Sequence, residues 1–75
     1  MYEEFEFTTH ARIRMDERGI TKEEVRRAFK VATIEIPGTR QGTRKIFAEF
    51  EDKCLCVVFE TKSASRCKVI SVWWR

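Results

Sequence analysis

Residues 10–25 decide the fold, and they read HARIRMDERGITKEEV. Ala11 and Met15 are four residues apart, so they fall on one face of a helix. Gly19 then supplies the left-handed backbone conformation that ends a helix, and Ile20 follows as the accompanying apolar contact. The stretch therefore predicts a first helix that ends directly before Gly19.

A second helix begins directly after this stop. Thr21 and Glu24 have the spacing of a capping box, in which each side chain binds the other residue's free backbone N–H. The second helix is expected to end at about Lys30, and Thr8 or Thr9 caps the first helix. The apolar residues of each helix share one face, so the pair is predicted to be a helical hairpin packed on another element.

The segments on both sides of the hairpin have strand character, because apolar and polar residues alternate in them. A short first strand is predicted at residues 2–7, and later strands are predicted at 33–36, 43–51, 54–62 and 67–74. The sequence thus predicts an α+β domain, with a short N-terminal strand, a two-helix hairpin and then a four-stranded antiparallel meander. The helices are expected on one face of a twisted sheet.

Size and composition limit what the chain can be. A chain of 75 residues has room for one domain, which we assign to residues 1–75. No apolar run approaches the roughly 20 residues that span a bilayer, and the start lacks the features of a signal peptide. We therefore expect a cytoplasmic protein that does not bind membranes.

The cysteines do not form a recognisable framework. Cys54 and Cys56 point to the same face of one strand, which is poor geometry for a mutual disulfide, and Cys67 is left over. The spacing of these residues and the single histidine fits no usual zinc site. Reduced thiols are expected, with no metal and no cofactor.

Charge is distributed unevenly along the chain. Between residues 10 and 30 there are seven basic and four acidic residues. Such clustering attracts polyanions. Solvated helix faces with Glu–Arg pairs at helical spacing give the same pattern, so both interpretations remain open.

The first helix carries the first group of candidate site residues. His10 lies in its first turn, where free N–H groups and the helix dipole favour an anion, so this histidine is a candidate general acid or base. Arg14 and Arg18 continue along the same helical face and are candidates for binding phosphate. Alternatively, these arginines bind backbone carbonyls at the end of the sheet or pair with Glu17 or Glu24.

A second group lies in the strand region. Arg40, Arg44 and Lys45 surround a glycine-containing loop and are predicted to form a second basic site. Trp73 is a candidate for stacking on bases, with Arg75 beside it. Trp74 and Tyr2 are further stacking candidates, although one of the two tryptophans must face the core.

Several of these motifs together resemble the signature of a small prokaryotic domain family of unknown function, related to the BrnT and RelE/ParE toxin superfamily. They are His10-Ala11, Arg14-Met15, Arg18-Gly19-Ile20, Thr21-x-x-Glu24-Val25 and the aromatic-rich end Val72-Trp73-Trp74-Arg75. The likeness covers nearly the whole chain and implies a RelE/BrnT-like fold. RelE-like toxins cleave RNA without metal, using basic and acid–base side chains on a concave sheet surface.

The resemblance implies a protein that binds RNA or ribosomes, and a toxin-type, metal-independent endoribonuclease if the domain is an enzyme. His10, Arg14 and Lys45 would be its catalytic set, with Arg44 as a further phosphate ligand. Two other interpretations remain open. One is a non-catalytic interaction domain whose uncovered sheet face forms a homodimer or binds an antitoxin; the other is a nucleic-acid-binding module without chemistry.

Overall fold

The computed structural model describes residues 2–75, which form two helices and five strands. The elements in chain order are β1 (Glu4–Phe7), α1 (Thr9–Arg18), α2 (Lys22–Val31), β2 (Ile34–Pro37), β3 (Thr43–Phe50), β4 (Lys53–Thr61) and β5 (Arg66–Trp74). The predicted α+β class is confirmed, and each predicted element is present within two residues of its expected limits.

Local capping sets the helical hairpin, as the sequence predicts. The Thr8 hydroxyl accepts a hydrogen bond from the Ala11 backbone N–H at 3.0 Å and so caps α1. Gly19 has φ +66°, and the Ile20 N–H donates to the Met15 carbonyl at 2.8 Å. Both bonds of the capping box between Thr21 and Glu24 are present. The turn between the helices is therefore specified by its own residues.

The sheet is mixed, which differs from the expected antiparallel arrangement. Its strand order is β1-β5-β4-β3-β2, and the strands from β2 to β5 pair in antiparallel fashion with their chain neighbours. β1 instead pairs in parallel with β5, with Phe5 opposite Cys67 and Phe7 opposite Val69. The alternation of apolar and polar residues along β1 predicts a strand. It does not determine which strand β1 pairs with, or whether the pairing is parallel or antiparallel.

The turn between β3 and β4 is one residue earlier than expected. Phe50 pairs with Lys53, so Glu51 and Asp52 form the turn instead of Asp52 and Lys53. Glu51 has φ +53°, in the left-handed region that non-glycine residues seldom adopt. Nothing in the local sequence indicates this conformation, which is imposed by closing the hairpin.

The core lies between the helices and one face of the sheet. α1 packs on β5, and α2 packs on β3 and β4. The largest fully buried side chains of the core are Phe59, Leu55, Val25, Val57, Val69, Val72 and Cys67, whereas Cys56 is buried on the opposite face of the sheet. Neither helix of the described chain is long and apolar enough to cross a membrane.

Candidate nucleic-acid interface

The face of the sheet opposite α1 and α2 is covered by no element of residues 2–75, and we call it the open face. Directly opposed residues of neighbouring strands point to the same side of a sheet. The register places Phe47, Cys56 and Trp73 in one row across β3, β4 and β5. Cys56 is fully buried, whereas Phe47 and Trp73 are partly exposed. The row thus presents two aromatic rings with a small buried side chain between them.

Two cations lie over these rings. The Nζ of Lys45, on β3, is 5.5 Å from the ring centroid of Trp73 on β5. Arg75 crosses β4 in the opposite direction, with its Cζ 5.2 Å from the ring centroid of Phe47. Both distances are within the ~6 Å range of cation–π attraction. Lys45 and Arg75 therefore extend over β4 on either side of Cys56 and cover both rings.

Neither of these two cations is neutralised by a carboxylate of the described chain. The ion pairs found there use other basic residues, namely Arg14, Arg26, Arg44, Lys62 and Arg66. Glu49 lies on the same face, in the row of Cys54, but makes no ion pair with Arg75. The centre of the open face consequently carries two positive charges that are available to an anion.

Cation–ring pairs also occur on the helix-bearing side. Lys53 Nζ lies 4.8 Å from the ring centroid of Trp74, and Arg27 Cζ lies 5.7 Å from that of Phe50. Stacking a cation on a ring is thus a general way in which this chain covers aromatic surface. The open-face pairs are distinguished by their position on a helix-free surface, on either side of the single residue Cys56.

Burial keeps two thiols neutral, that of Cys56 on the open face and that of Cys67 in the core. Burial, and next the neighbouring Cys54, raises the pKa of Cys56 to about 11, although the charges of Arg75 and Lys45 act in the opposite direction. Burial raises the pKa of Cys67 to about 12. All three cysteines are free. No cluster of three or more potential metal ligands occurs within residues 2–75.

The helical candidates lie elsewhere. His10 is exposed on α1, and its side chain makes no hydrogen bond with the described residues. Arg14 pairs with Glu17 at 2.8 Å, and Arg18 donates from Nη1 to the Val72 carbonyl at 3.4 Å. These contacts are the structural alternatives that the sequence left open for the two arginines. α1 lies on the helix-bearing side, so His10 and Arg14 do not share a surface with Lys45.

The predicted basic site around the loop is also divided. Arg44 and Lys45 are consecutive residues of a strand, so their side chains point to opposite faces. Arg44 pairs through Nε with Glu35 at 2.9 Å on the side of the helices. Arg40 is exposed in the loop, where its carbonyl accepts a hydrogen bond from the Thr43 hydroxyl at 2.6 Å. Only Lys45 of this group reaches the centre of the open face.

Of the predicted site residues, Lys45, Trp73 and Arg75 come together. Phe47 and Cys56 were not predicted as site residues, although alternation within residues 43–51 and 54–62 already places both on the face of Lys45. Tyr2 and Trp74, named as stacking candidates, pack on the helix-bearing side instead. The Trp74 indole N–H donates to the Arg18 carbonyl at 3.1 Å, so this tryptophan joins β5 to the end of α1.

The fold and this surface define a small α+β domain with one covered and one open sheet face. A family model described as a domain of unknown function (DUF4258) matches residues 7–74, and the chain therefore belongs to this family. The expected membership of a small uncharacterised domain family is thereby confirmed. Neither the curated proteins nor the solved structures contain a match to the chain.

Proposed function

We propose that this domain binds single-stranded RNA through the open face, in the cytoplasm. The observation that carries the proposal is the pair of partly exposed rings, Phe47 and Trp73, with two unpaired cations between them. Proteins that bind single strands combine aromatic stacking surfaces with positive charge along the backbone path. Both components are present at one place on this face.

The typical interaction energies favour a nucleotide base over a cation as the group that stacks on each ring. A cation–π contact at an exposed site contributes ~0.5–1 kcal/mol, whereas stacking of a base on an aromatic ring contributes ~1–3 kcal/mol. A base that replaces Lys45 on Trp73 also releases the ammonium to bind a phosphate. The cations are therefore no obstacle to binding, and their charge attracts the polyanion.

The direct test is a fluorescence-anisotropy titration of a labelled single-stranded RNA with Lys45→Met and Lys53→Met. Both lysines lie over a tryptophan ring, but only Lys45 is on the open face. Lys45→Met is expected to weaken binding about fivefold at 0.1 M salt, since one contact to a single-strand phosphate contributes ~0.7 to the salt exponent. Equal affinities of the two variants would contradict the proposal.

RNA cleavage is the catalytic form of the hypothesis and stays a prediction, as does the relationship to BrnT and RelE toxins. It requires His10, Arg14 and Lys45 around one phosphodiester, and their positions on different sides of the sheet do not support this. Incubating labelled RNA, alone and on ribosomes, with wild-type protein and His10→Ala in EDTA tests it. Metal-independent cleavage that is lost in His10→Ala would establish the enzyme and replace our proposal.

A protein partner is the second candidate, and exposed isoleucines favour it. Ile34 is 52% exposed and Ile36 is 40% exposed on β2, where they are opposite Phe47 and Lys45 and so extend the open face. A homodimer or an antitoxin helix would cover such apolar surface. Light scattering of the wild type and Ile36→Glu distinguishes these cases. A dimer that the substitution dissociates would favour the homodimer over RNA binding.

A further inference from the structure

We propose that the open face takes two consecutive unpaired nucleotides, with one base on Phe47, the other on Trp73, and the intervening phosphate between Lys45 and Arg75. This inference rests on the proposed RNA binding and specifies its ligand. It depends on the spacing of the two rings, on the two cations that extend between them and on the small residue at the centre.

The ring spacing selects a single strand. Phe47 and Trp73 are on β3 and β5, which are separated by β4. Neighbouring strands are about 4.8 Å apart, so the backbones that carry the rings are about 10 Å apart. Stacked bases of a duplex follow each other every ~3.4 Å along a strand. Two consecutive bases therefore reach both rings only when they are unstacked, which a paired helix does not allow.

The position of the charges matches the link between the two bases. Lys45 reaches from β3 towards Trp73, and Arg75 reaches from the end of β5 towards Phe47. They pass on either side of Cys56, which lies between the rings, and the charges of both reach its thiol. Once bases occupy the rings, both cationic groups lie beside the bridging phosphate and can bind its oxygens.

Cys56, the residue between the two rings, has a small side chain. It is fully buried beneath its neighbours, however, so the space between the rings opens only when bases displace Lys45 and Arg75. Val58 and Cys54, its neighbours on this face of β4, limit the row on either side. The apolar floor holds no competing carboxylate, and the nearest acidic residue on the face is Glu49, in the next row.

The test compares four ligands by anisotropy competition: single-stranded octauridine, its deoxy counterpart, an abasic octamer with the same backbone, and a duplex of equal length. Phe47→Leu and Trp73→Leu keep apolar volume but remove the ring, and Trp74→Leu is the matched control on the covered side. Thermal denaturation of each variant verifies folding. We expect the base-containing single strands to bind best, and each open-face substitution to weaken them by about 5- to 150-fold.

The abasic octamer is expected to bind weakly and with equal affinity to the wild type, Phe47→Leu and Trp73→Leu. If all four ligands bind equally and only Lys45→Met or Arg75→Met lowers affinity, the surface reads phosphates alone. That result overturns the two-base site while RNA binding stands. If no ligand binds, both proposals fail. Equal affinity for the ribose and deoxyribose octamers would extend the ligand class to single-stranded DNA.

Discussion

At the scale of single residues, the buried thiols have a consequence for stability. Cys67 is 1% exposed, and its burial raises the thiol pKa from the ordinary value of 9.0 to about 12. The folded state therefore keeps its proton at a pH at which the unfolded chain loses it. The contribution of Cys67 to the free energy of unfolding is fully present below pH 9 and decreases as the pH rises towards 12.

We expect the free energy of unfolding to decrease by about 1.4 kcal/mol per pH unit above 9 because of Cys67 alone. Urea denaturation of wild type and Cys67→Ala at pH 8 and pH 10 measures the difference. Cys67→Ala is expected to have a lower free energy of unfolding than the wild type at pH 8. Between pH 8 and pH 10, however, that free energy should fall by about 1 kcal/mol less in the variant than in the wild type. An identical pH dependence in both proteins would contradict the assignment.

Glu51 offers a second residue-level prediction, because its φ of +53° is unfavourable for a residue with a side chain. Glu51→Gly removes that cost and is expected to raise the free energy of unfolding by about 0.5–1 kcal/mol, after the greater chain entropy of glycine. Urea denaturation measures it. Asp52→Gly, at the neighbouring turn position, is the control and should give no gain.

At the scale of elements, predictability follows the range of the interactions. The helical hairpin was predicted correctly because its signals, Thr8, Gly19 and the capping box, act within four residues. The parallel pairing of β1 with β5 was not predicted, because its partners are about sixty residues away. Arg44 and Lys45 were grouped because they are adjacent in sequence, although alternation within a strand separates them.

The capping box between Thr21 and Glu24 is expected to stabilise α2. Thr21→Ala removes the acceptor for the Glu24 N–H, which is bound at 3.1 Å, and is expected to lower the free energy of unfolding by about 1 kcal/mol. Thr39→Ala, at an exposed loop threonine, is the matched control. Urea denaturation that gives equal values for the two variants would show that α2 does not depend on its cap.

At the scale of the whole molecule, the sheet has one face covered by the helices and one open face, and the proposed binding site lies on the open face. The chain has a formal net charge of +3, but the sum is less informative than its arrangement. Charge clustering in the sequence indicated the helical residues 10–30 as a place for a polyanion, with solvated helix faces as the alternative. The open-face position instead follows from register, which brings Lys45, Trp73 and Arg75 together although they are separated along the chain.

The salt dependence of RNA binding tests this arrangement. If Lys45 and Arg75 together bind the one bridging phosphate, the logarithm of the association constant should fall with the logarithm of salt concentration with a slope of about −0.7. The double variant Lys45→Met/Arg75→Met should bring the slope close to zero. The corresponding helix-side double variant, Arg27→Met/Lys53→Met, should keep the wild-type slope. A steeper slope that only the helix-side variant reduces would place the contacts on the helix-bearing side of the sheet.

RNA binding at the open face is tested most directly by an NMR titration of the ¹⁵N-labelled protein with single-stranded RNA, following the two indole N–H signals. Trp73 is on the open face, whereas the Trp74 indole is bonded to the Arg18 carbonyl. We predict that the Trp73 indole and the backbone amides of Phe47 and Cys56 shift, while the Trp74 indole does not. Shifts confined to α1 around His10 and Arg14, or no shifts, would contradict binding at the open face.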